Sequence, residues 1–365
     1  MKTIPKEVDN LPLCLYYRFM ETISRKGECI LATISDVAKL AGLSVSTVSR
    51  VINNSPHVSS KKKDLVESAM QQLGYVPLPA ARQLRGSKTN TMAVTIPRIV
   101  NPFFSYLVDA IEQKLDEAGY STLIVQTFSR PEEELNALNL LKNQQVDGVI
   151  LCSIENPWSV IEEYLKYGKI VLVNEYFKND IKVPSIRADQ YTGFYQATNF
   201  LFEKGYRKIA YATGRKSIAI MERGENFDAD RFAGFQDSLS EHGTGFNHNW
   251  LFTSAHTAED GRKILNQIML MDNEPDVIIA GSDEVAMGLI QEANTQGIDV
   301  PNDLGVLGVD DQPVSANLRI PLTTIKQPVN EMGQESAKAM LGLMSGKTVE
   351  ESKILNLKII ERASI

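Results

Sequence analysis

The pattern of hydrophobic and polar residues divides the chain near residue 91. From Thr33 to Leu73, apolar residues recur at the three- and four-residue spacing of short amphipathic helices. From Thr91 onward, short apolar runs alternate with longer stretches that have helical periodicity. We therefore predict a small all-α domain followed by a large α/β body.

The alternation in the body predicts parallel β-sheets with crossover helices. Because the body is too long for one such sheet, we predict two doubly wound parallel-sheet subdomains, with a ligand bound between them at the carboxyl ends of the strands. The apolar runs predict strands at 92–96, 121–125, 146–151, 170–173, 209–212, 276–280 and 306–309. The periodic stretches predict helices at 104–118, 132–143, 192–203, 229–242, 258–269 and 284–296.

The small domain has the signals of two short helices joined by a tight turn. Thr33 or Ser35 can cap the first helix, and Gly42 can supply the left-handed conformation that ends it. Ser44 can cap the second helix. These signals predict a helix-turn-helix unit, in which the second helix enters the major groove of DNA.

The polar side of this second helix offers groups that suit DNA. Arg50 can form a bidentate pair with a guanine edge, Val45 can contact a thymine methyl, and Ser46 can bond to several bases. Thr47 and Ser49 can reach phosphates, which position a protein on DNA without reading its sequence. The alternative is an ordinary helical hairpin whose hydroxyl groups are solvated.

The distribution of charge favours DNA binding by the small domain alone. The net charge of the chain is −7, which argues against nucleic-acid binding by the molecule as a whole. Residues 32–90, however, carry eight Lys and Arg against three Asp and Glu. A basic segment on an acidic body fits a DNA-binding head on a body that does not bind DNA.

Other features argue against further classes of protein. No apolar run approaches the ~20 residues of a membrane-spanning helix, and the N-terminus lacks a secretory pattern, so the cytoplasm is expected. The cysteines Cys14, Cys29 and Cys152 have no metal-ligand spacing, and Cys152 lies in an apolar run as a core thiol. No GxGxxG, P-loop or GxSxG motif is present. We predict no catalytic residues, no cofactor and no metal site.

Residues 1–31 fit neither pattern, because Pro5 and Pro12 interrupt them and no periodicity runs through them. The segment 25–28 could be encoded by a purine-rich string like a bacterial ribosome-binding sequence, and Leu31 by a TTG start codon. We therefore expect native translation to begin at Leu31. A genuine disordered arm is the alternative.

Residues 33–90 closely resemble the DNA-binding headpiece of the LacI/GalR family, the bacterial transcription repressors related to the lactose repressor. The matching segments are DVA at 36–38, AG at 41–42, STVSRV at 46–51, Asn53, VS at 58–59, LGY at 73–75 and ARQL at 81–84. The resemblance continues through the body. There the matching segments are NPFF at 101–104, VDGVI at 146–150, GYRKI at 205–209, RFAGF at 231–235, SDEVAMG at 282–288, VDD at 309–311 and PLTTIKQP at 321–328.

For the head, the resemblance implies a helix-turn-helix domain over 32–77, with a third helix near 61–73 that packs Leu65, Ala69 and Leu73 inward. The DNA-contacting residues that it implies, beyond those of the second helix, are Thr33, Asn53, His57 and Ser59.

A hinge helix and linker would follow over 78–90. Leu84, flanked by Arg85, would be the wedge that enters the minor groove and kinks the duplex; the alternative is that Leu84 is a linker residue. The sequence departs from the family where Pro77-Leu78-Pro79 replaces the usual Pro-Asn before the hinge helix.

For the body, the resemblance implies an effector-binding and dimerisation domain over 91–365. It resembles periplasmic sugar-binding proteins, in which the chain crosses between two subdomains. The N-subdomain would comprise 91–189 and 322–348. The C-subdomain would comprise 192–318 and 350–362, including a final strand near 353–360.

The resemblance also implies which residues contact the effector. Arg231 and Asp310 would face each other and bracket a polyol with charge-assisted hydrogen bonds. A structural ion pair is the alternative. Asp189 and Asp283 match positions at strand ends and helix caps, so we do not expect them to be ligands.

Further effector contacts follow from the same matches. Phe103 or Phe104 would stack on an apolar sugar face or a base, unless it belongs to the core. Asn174 would face the ligand, and Ser282 replaces an Asn that family members commonly use. His256 aligns roughly with an aromatic residue that caps the ligand.

The expected mechanism is that a homodimer, paired through the helix near 104–118 and C-subdomain partners, binds a palindromic operator. A small effector, a sugar or sugar derivative, would change the spacing of the two hinge segments and hence the operator affinity. Whether it induces or corepresses stays open. The alternatives are a solute-binding protein, an enzyme with a DNA-binding head, and a carbon-catabolite-type regulator controlled by a phosphorylated carrier protein.

Overall fold

A computed structural model describes residues 32–52, 55, 58–75, 88–177, 183–215 and 226–365. The chain separates into two compact units, a head that ends at Ser87 and a body that spans Lys88–Ile365. Within the predicted extension and hinge, residues 1–31 together with Leu84 and Arg85 lie outside the described residues.

The described head contains helices α1 (Ile34–Ala41), α2 (Val45–Ile52) and α3 (Ser60–Leu73). Thr33 caps α1, because Asp36 N donates to Thr33 Oγ1 at 3.3 Å and Thr33 N donates back to Asp36 Oδ2 at 3.0 Å. Gly42, with φ of 65°, ends the helix in the left-handed region. The predicted caps and tight turn are confirmed, since Thr47 N donates to Ser44 Oγ at the start of α2.

The core of the head is small and aliphatic, formed by Val37, Val48 and Val66 together with neighbouring alanines and Val51. The expectation that Leu65 and Leu73 pack inward is wrong, because they are 44% and 36% exposed. A helix presents one face at spacings of three and four residues, and on α3 that face runs through Val66 and Ala69.

The first sheet of the body has the strand order β11-β5-β4-β3-β1-β2, and all its pairs are parallel. Its strands are β1 (Thr91–Ile96), β2 (Ser121–Gln126), β3 (Gly148–Leu151), β4 (Lys169–Val173), β5 (Ser185–Ala188) and β11 (Ser352–Leu355). Alternate strand residues pack against helices on opposite faces. These helices are α4 (Pro102–Asp116) and α11 (Val329–Met344) on one face, and α5 (Pro131–Lys142) and α6 (Trp158–Ile161) on the other.

The second sheet has the order β12-β10-β9-β8-β6-β7, with β12 antiparallel to β10 and the other pairs parallel. Its strands are β6 (Ile209–Ala212), β7 (Leu251–Phe252), β8 (Val277–Ile279), β9 (Gly305–Asp310), β10 (Thr323–Lys326) and β12 (Lys358–Ile360). Helices α7 (Gln190–Glu203) and α8 (Phe227–Glu241) cover one face, and α9 (Ala258–Ile268) and α10 (Asp283–Gln296) cover the other. The predicted fold class, a helical head and two doubly wound subdomains, is confirmed.

Two details of the predicted subdomain division are wrong. The strand Thr323–Lys326 lies in the second sheet, beside β9, although 322–348 was expected in the N-subdomain. The expected single last strand near 353–360 is two strands, of which β11 pairs with β5 in the first sheet and β12 with β10 in the second. The reason is a chain crossing at Asn356–Leu357, which splits one apolar segment between two sheets.

The described chain therefore crosses from one sheet to the other at three places: from β5 to α7, from β10 to α11, and from β11 to β12. These crossings matter for the site, because any change in the angle between the two subdomains has to occur at them.

Candidate functional site

Helix α2 presents a mixed polar and apolar surface on the head. Val45 is 39% exposed, and Ser46 and Arg50 are exposed. Thr47 is half-buried, and its hydroxyl bonds to Ser44 Oγ at 2.9 Å. Ser46 and Arg50, which the sequence predicted to form hydrogen bonds with bases, are thus both exposed.

Ser49 does not belong to this surface. We expected it on the polar side of α2, but it is 6% exposed and lies beside Val48 in the buried face of the helix. Helical spacing explains the error, since residue 49 lies about 100° from residue 48 and close to the face that packs against α1 and α3.

Of the other predicted DNA contacts in the head, Thr33 is exposed but is occupied by its capping bonds to Asp36. Ser59 is exposed at the N-terminus of α3 and its side chain makes no capping hydrogen bond. Asn53 and His57 lie outside the described residues.

In the body, a chain of buried polar side chains connects two of the crossings between the sheets. Gln190, at the start of α7, donates from Nε2 to Gln327 Oε1 at 3.0 Å and to Asn174 Oδ1 at 3.3 Å. Gln327, between β10 and α11, donates from Nε2 to Asp310 Oδ1 at 2.9 Å. Arg231 Nε donates to Gln190 Oε1 at 2.8 Å. Asn174, Arg231 and Asp310, which the sequence predicted as effector contacts, are thereby joined.

Asp310 is held in an unusual environment at the end of β9. Its backbone has φ of 114°, in the left-handed half of conformational space that favours glycine. Burial raises the pKa of its carboxyl to about 7, with Asp283 adding to the effect, whereas the Gln327 amide and Arg231 oppose it. Such backbone strain and a shifted pKa are typical of functional sites.

Arg231 is 6% exposed and packs between aromatic rings. Its guanidinium carbon lies 5.1 Å from the ring centroid of Phe194 and 5.1 Å from that of Phe227. These contacts, together with the hydrogen bond from Nε to Gln190, fix the plane of the guanidinium.

A cavity of about 530 Å³ opens beside this network. Asp310, Gln327 and Phe103 line it, so its wall has a carboxyl group, an amide and an aromatic ring, whereas Arg231, Gln190 and Asn174 do not line it. This volume lies in the range of sites that hold small organic ligands.

The other predicted effector contacts are distributed differently. Phe103 and Phe104 meet edge to face at 5.1 Å; Phe103 is a buried core residue at 6% exposure, and Phe104 is partly buried against the same core. Ser282 caps α10 by accepting from Val285 N at 3.3 Å, a role we had expected of Asp283. His256 is exposed and its ring lies against Gly214, after β6, so the structure does not join it to the network around Arg231.

Asp189 is a helix cap, as predicted, whereas Asp283 does not cap a helix and instead holds a loop in place. Asp189 accepts from Thr192 N at 3.0 Å and caps α7. Asp283 is fully buried, and burial raises its pKa to about 6. It accepts from Gln312 N at 2.7 Å and from Ser315 Oγ at 2.7 Å, which fixes the loop after β9.

Gln190 and Gln327 were missed as site residues. The residue Gln327 stands inside the matched segment 321–328, but nothing local distinguishes it from a surface glutamine. Their place in the chain could have identified both glutamines, because each comes directly after the end of a strand, where the chain crosses between the sheets.

Among the described residues no cluster of His, Cys, Asp and Glu could hold a metal ion. Cys152 is buried at 2% exposure, and burial raises the pKa of its thiol, as predicted for a core cysteine. In the same part of the chain, no helix is both long enough and apolar enough to span a membrane.

The head and the body together define a class of protein: a helix-turn-helix module joined to a two-subdomain ligand-binding module of the periplasmic-binding-protein type. Comparison with known families gives the same division. Residues 33–77 match the family described as bacterial regulatory proteins, lacI family. Residues 89–362 match the periplasmic binding proteins and sugar binding domain of the LacI family.

Individual relatives match most of the chain. The NTD biosynthesis operon regulator NtdR of Bacillus subtilis (strain 168) is 35% identical over 338 residues, which is 92% of this chain and 100% of the relative. A LacI-family regulator from Lactobacillus casei with bound glucose is 33% identical, covers 75% of this chain and 99% of its own, and superposes with a TM-score of 0.66. The lac repressor dimer bound to operator and the anti-inducer ONPF is 26% identical, with coverage of 91% and 98% and a TM-score of 0.75.

The chain belongs to the LacI family of bacterial transcription regulators. It is a DNA-binding transcription regulator, with the DNA-binding module in its head and the ligand-binding module in its body.

Proposed function

We propose that this regulator is a repressor that binds a palindromic operator as a homodimer, and that a small carbohydrate bound between its two sheets controls its operator affinity. The head over 32–77 reads the operator through Val45, Ser46 and Arg50 of α2. The segment 78–90 acts as the hinge, and the protein works in the cytoplasm without catalytic activity.

The observation that carries this proposal is the hydrogen bond between Gln190 and Gln327. It ties two crossings together and attaches both to Asp310 and Arg231. A polyol that bonds to those two charged groups therefore acts directly on the segments that set the angle between the subdomains.

The relatives support the same ligand class and the same target. One has been solved with glucose in place, and the lac repressor has been solved as a dimer on its operator. In this chain the guanidinium of Arg231, the carboxyl group of Asp310 and the amide groups of Gln190 and Gln327 are the kinds of groups that bind sugar hydroxyls.

The test of the effector is a thermal-shift screen of the purified protein against neutral sugars, sugar phosphates, nucleosides and purine bases. We expect a compound that raises the melting temperature of the wild type but not of Arg231→Ala or Asp310→Asn. Arg319→Ala, which removes an exposed arginine, is the matched control and should keep the response. If no compound stabilises the wild type, the alternative control by a phosphorylated carrier protein is favoured instead.

The test of DNA binding starts from selection of duplexes out of a random pool by the full-length protein. Selected sequences should contain an inverted repeat, because a twofold dimer presents two equivalent α2 helices. Recovery of single, non-palindromic half-sites would contradict the proposed homodimer on DNA.

A further inference from the structure

A second contact joins the two subdomains, apart from the network around Gln190 and Arg231. Tyr176 follows β4 and Arg187 lies on β5, both in the first sheet, whereas Asp230 lies in α8, which covers the second sheet. Tyr176 Oη donates to Asp230 Oδ2 at 2.7 Å, and Arg187 Nη1 lies 4.0 Å from the same oxygen. We call these three residues, Tyr176, Arg187 and Asp230, the inter-sheet clamp.

The two clamp residues of the first sheet are held against each other. The guanidinium carbon of Arg187 lies 4.1 Å from the ring centroid of Tyr176, well within the range of a cation–π contact. The side chains of Arg187 and Asp230 are only 24% and 25% exposed, so water screens their attraction only in part. Burial raises the pKa of Tyr176, and the bond to Asp230 adds to this effect, so the hydroxyl keeps its proton and stays a donor.

The contact between Arg187 and Asp230 is at the outer limit of an ion pair. Among the described residues, nothing accepts a hydrogen bond from the buried Nε of Arg187. Charge-assisted hydrogen bonds between nitrogen and oxygen are about 2.7–2.9 Å long, so an approach of about 1 Å between α8 and β5 would form one. The clamp therefore has a looser and a tighter form, and the angle between the subdomains decides between them.

The inter-sheet clamp lies next to the residues through which an effector would act. Asp230 precedes Arg231 on α8, and β5, which carries Arg187, leads into the crossing that ends at Gln190. Arg231 Nε donates to Gln190 Oε1 at 2.8 Å, so the clamp and the network connect neighbouring segments of the two subdomains. No clamp residue lines the cavity of about 530 Å³, so the clamp can be altered without removing a group from its wall.

We propose that the inter-sheet clamp holds the two subdomains at one angle and thereby sets the operator affinity of the protein without effector. This inference rests on the proposed function, because it takes that angle to control DNA binding. Tyr176 and Arg187 act as positioning residues, since they hold Asp230, and with it the first turn of α8, against the first sheet. A ligand that contacts Arg231 then shifts an equilibrium whose starting point the clamp has fixed.

The first measurement is the distance between spin labels on the two subdomains, by double electron–electron resonance. Labels at the exposed positions Glu132→Cys and Thr253→Cys follow β2 and β7, the edge strands farthest from the crossings, where a rotation gives the largest displacement. Cys14→Ser and Cys29→Ser remove other labelling sites, and the buried Cys152 is retained. Labelled chains are mixed with an excess of unlabelled chains, so that a dimer carries one labelled pair.

The variants weaken the clamp in two independent ways. Tyr176→Phe removes one hydroxyl and keeps the ring beside Arg187, whereas Arg187→Gln removes the charge. We expect both to move the label distances in the same direction, because each weakens the hold of the first sheet on Asp230. Loss of one hydrogen bond to a charged group corresponds to about a tenfold shift in the balance between two arrangements.

Tyr191→Phe is the matched control. It removes the same kind of bond, from Tyr191 Oη to Asp237 Oδ2 at 2.9 Å, but within the second subdomain, because α7 and α8 both cover the second sheet. The label distances of this variant should match the wild type. Urea unfolding of all three variants shows whether any change in distance only accompanies a loss of stability.

The second measurement is the affinity of the unlabelled variants for the selected operator duplex, by fluorescence anisotropy with no small molecule added. We expect Tyr176→Phe and Arg187→Gln to change the dissociation constant by about threefold or more, in the same direction, and Tyr191→Phe to leave it within about twofold. A random duplex reports any general effect of the charge lost in Arg187→Gln.

The outcomes separate the two proposals. If Tyr176→Phe and Arg187→Gln leave the label distances at wild-type values, or only lower the stability, the clamp inference is wrong and the proposed function stands. If the distances change but operator affinity does not, the clamp sets the angle, and the proposed control of DNA binding by that angle is contradicted. If distances and operator affinity change together, while Tyr191→Phe changes neither, both proposals are supported.

Discussion

At the scale of single residues, a substitution of Arg50 tests whether this residue reads a base of the operator or only attracts DNA by its charge. Arg50→Lys keeps the charge but removes the planar fork that pairs with guanine. We expect affinity for the selected operator to fall by about 1–3 kcal/mol, while affinity for a random duplex stays nearly constant. Fluorescence anisotropy with both duplexes measures the two affinities.

The control for Arg50 is Lys39→Arg, a change between cations at an exposed position on α1. It should leave both affinities near the wild-type values. An equal fall for operator and random duplex in Arg50→Lys would show that this residue contacts phosphate and does not read a base.

Glu175 gives a prediction for stability. Its pKa is about 8 in the folded protein against an ordinary value of 4.5, so folding favours the protonated form. The wild type therefore loses stability as the pH rises from about 5 to about 8, and Glu175→Gln is spared this loss. We expect the advantage of the variant in the free energy of unfolding to grow by on the order of 3 kcal/mol across that window.

Urea unfolding of the ligand-free protein at several pH values measures this difference. Glu163→Gln, which changes an exposed glutamate, should run parallel to the wild type at every pH. A constant difference between Glu175→Gln and the wild type would mean that Glu175 does not titrate in this window.

At the scale of elements, helices α9 and α10 approach each other through glycine. A Cβ at Gly288 would lie 1.9 Å from the backbone oxygen of Ala258, and one at Gly261 would lie 2.1 Å from that of Val285. Because backbone atoms cannot move aside as a flexible side chain can, Gly288→Ala has to separate the two helices. We expect a loss of about 3 kcal/mol or more in the free energy of unfolding.

Gly245→Ala is the matched control, since no atom lies within 4 Å of a Cβ built there. It should be neutral or slightly stabilising, because alanine restricts the unfolded chain. If chemical unfolding finds Gly288→Ala as stable as Gly245→Ala, the two helices pack less closely than described.

Elements also show what the sequence can and cannot predict. Helix caps such as Thr33 and Ser44, and the strands around Val94 and Val171, follow from local patterns that physical chemistry makes nearly obligatory. The sheet that a strand joins does not follow, because β10 and β11 are short apolar segments with no local mark of their partner strand. The prediction for Ser49 was wrong for a similar reason, because a shift of one residue along a short helix decides whether a side chain is buried or exposed.

The candidate site shows the same limit. Arg231 and Asp310 were predictable from matched motifs, but the bond that joins their surroundings links Gln190 to Gln327, 137 residues apart. The raised pKa of Glu175 was also not predictable, because it depends on burial and on charged groups that come from other segments of the chain. Long-range placement, and not residue type, determines both features.

At the scale of the whole molecule, the proposed function makes Gln327 the link between ligand binding and the angle between the subdomains. Gln327→Leu has similar bulk but loses the hydrogen bonds to Gln190 and Asp310. Because Gln327 lines the cavity while Arg231 and Asp310 remain, we expect the affinity for the effector to fall by up to about tenfold. At saturating effector, we expect its effect on operator affinity to fall by about tenfold or more.

The coupling is the ratio of operator dissociation constants with and without saturating effector, measured by fluorescence anisotropy on the same protein preparation. Gln267→Leu, on an exposed residue of α9, makes the same chemical change away from the crossings and should keep the wild-type ratio. Coupling is the change in operator affinity that the effector causes. If Gln327→Leu still binds the effector but its operator affinity no longer responds, the hydrogen bond between Gln190 and Gln327 carries that response. An unchanged ratio in Gln327→Leu would assign the transmission to another crossing, where β11 passes to β12.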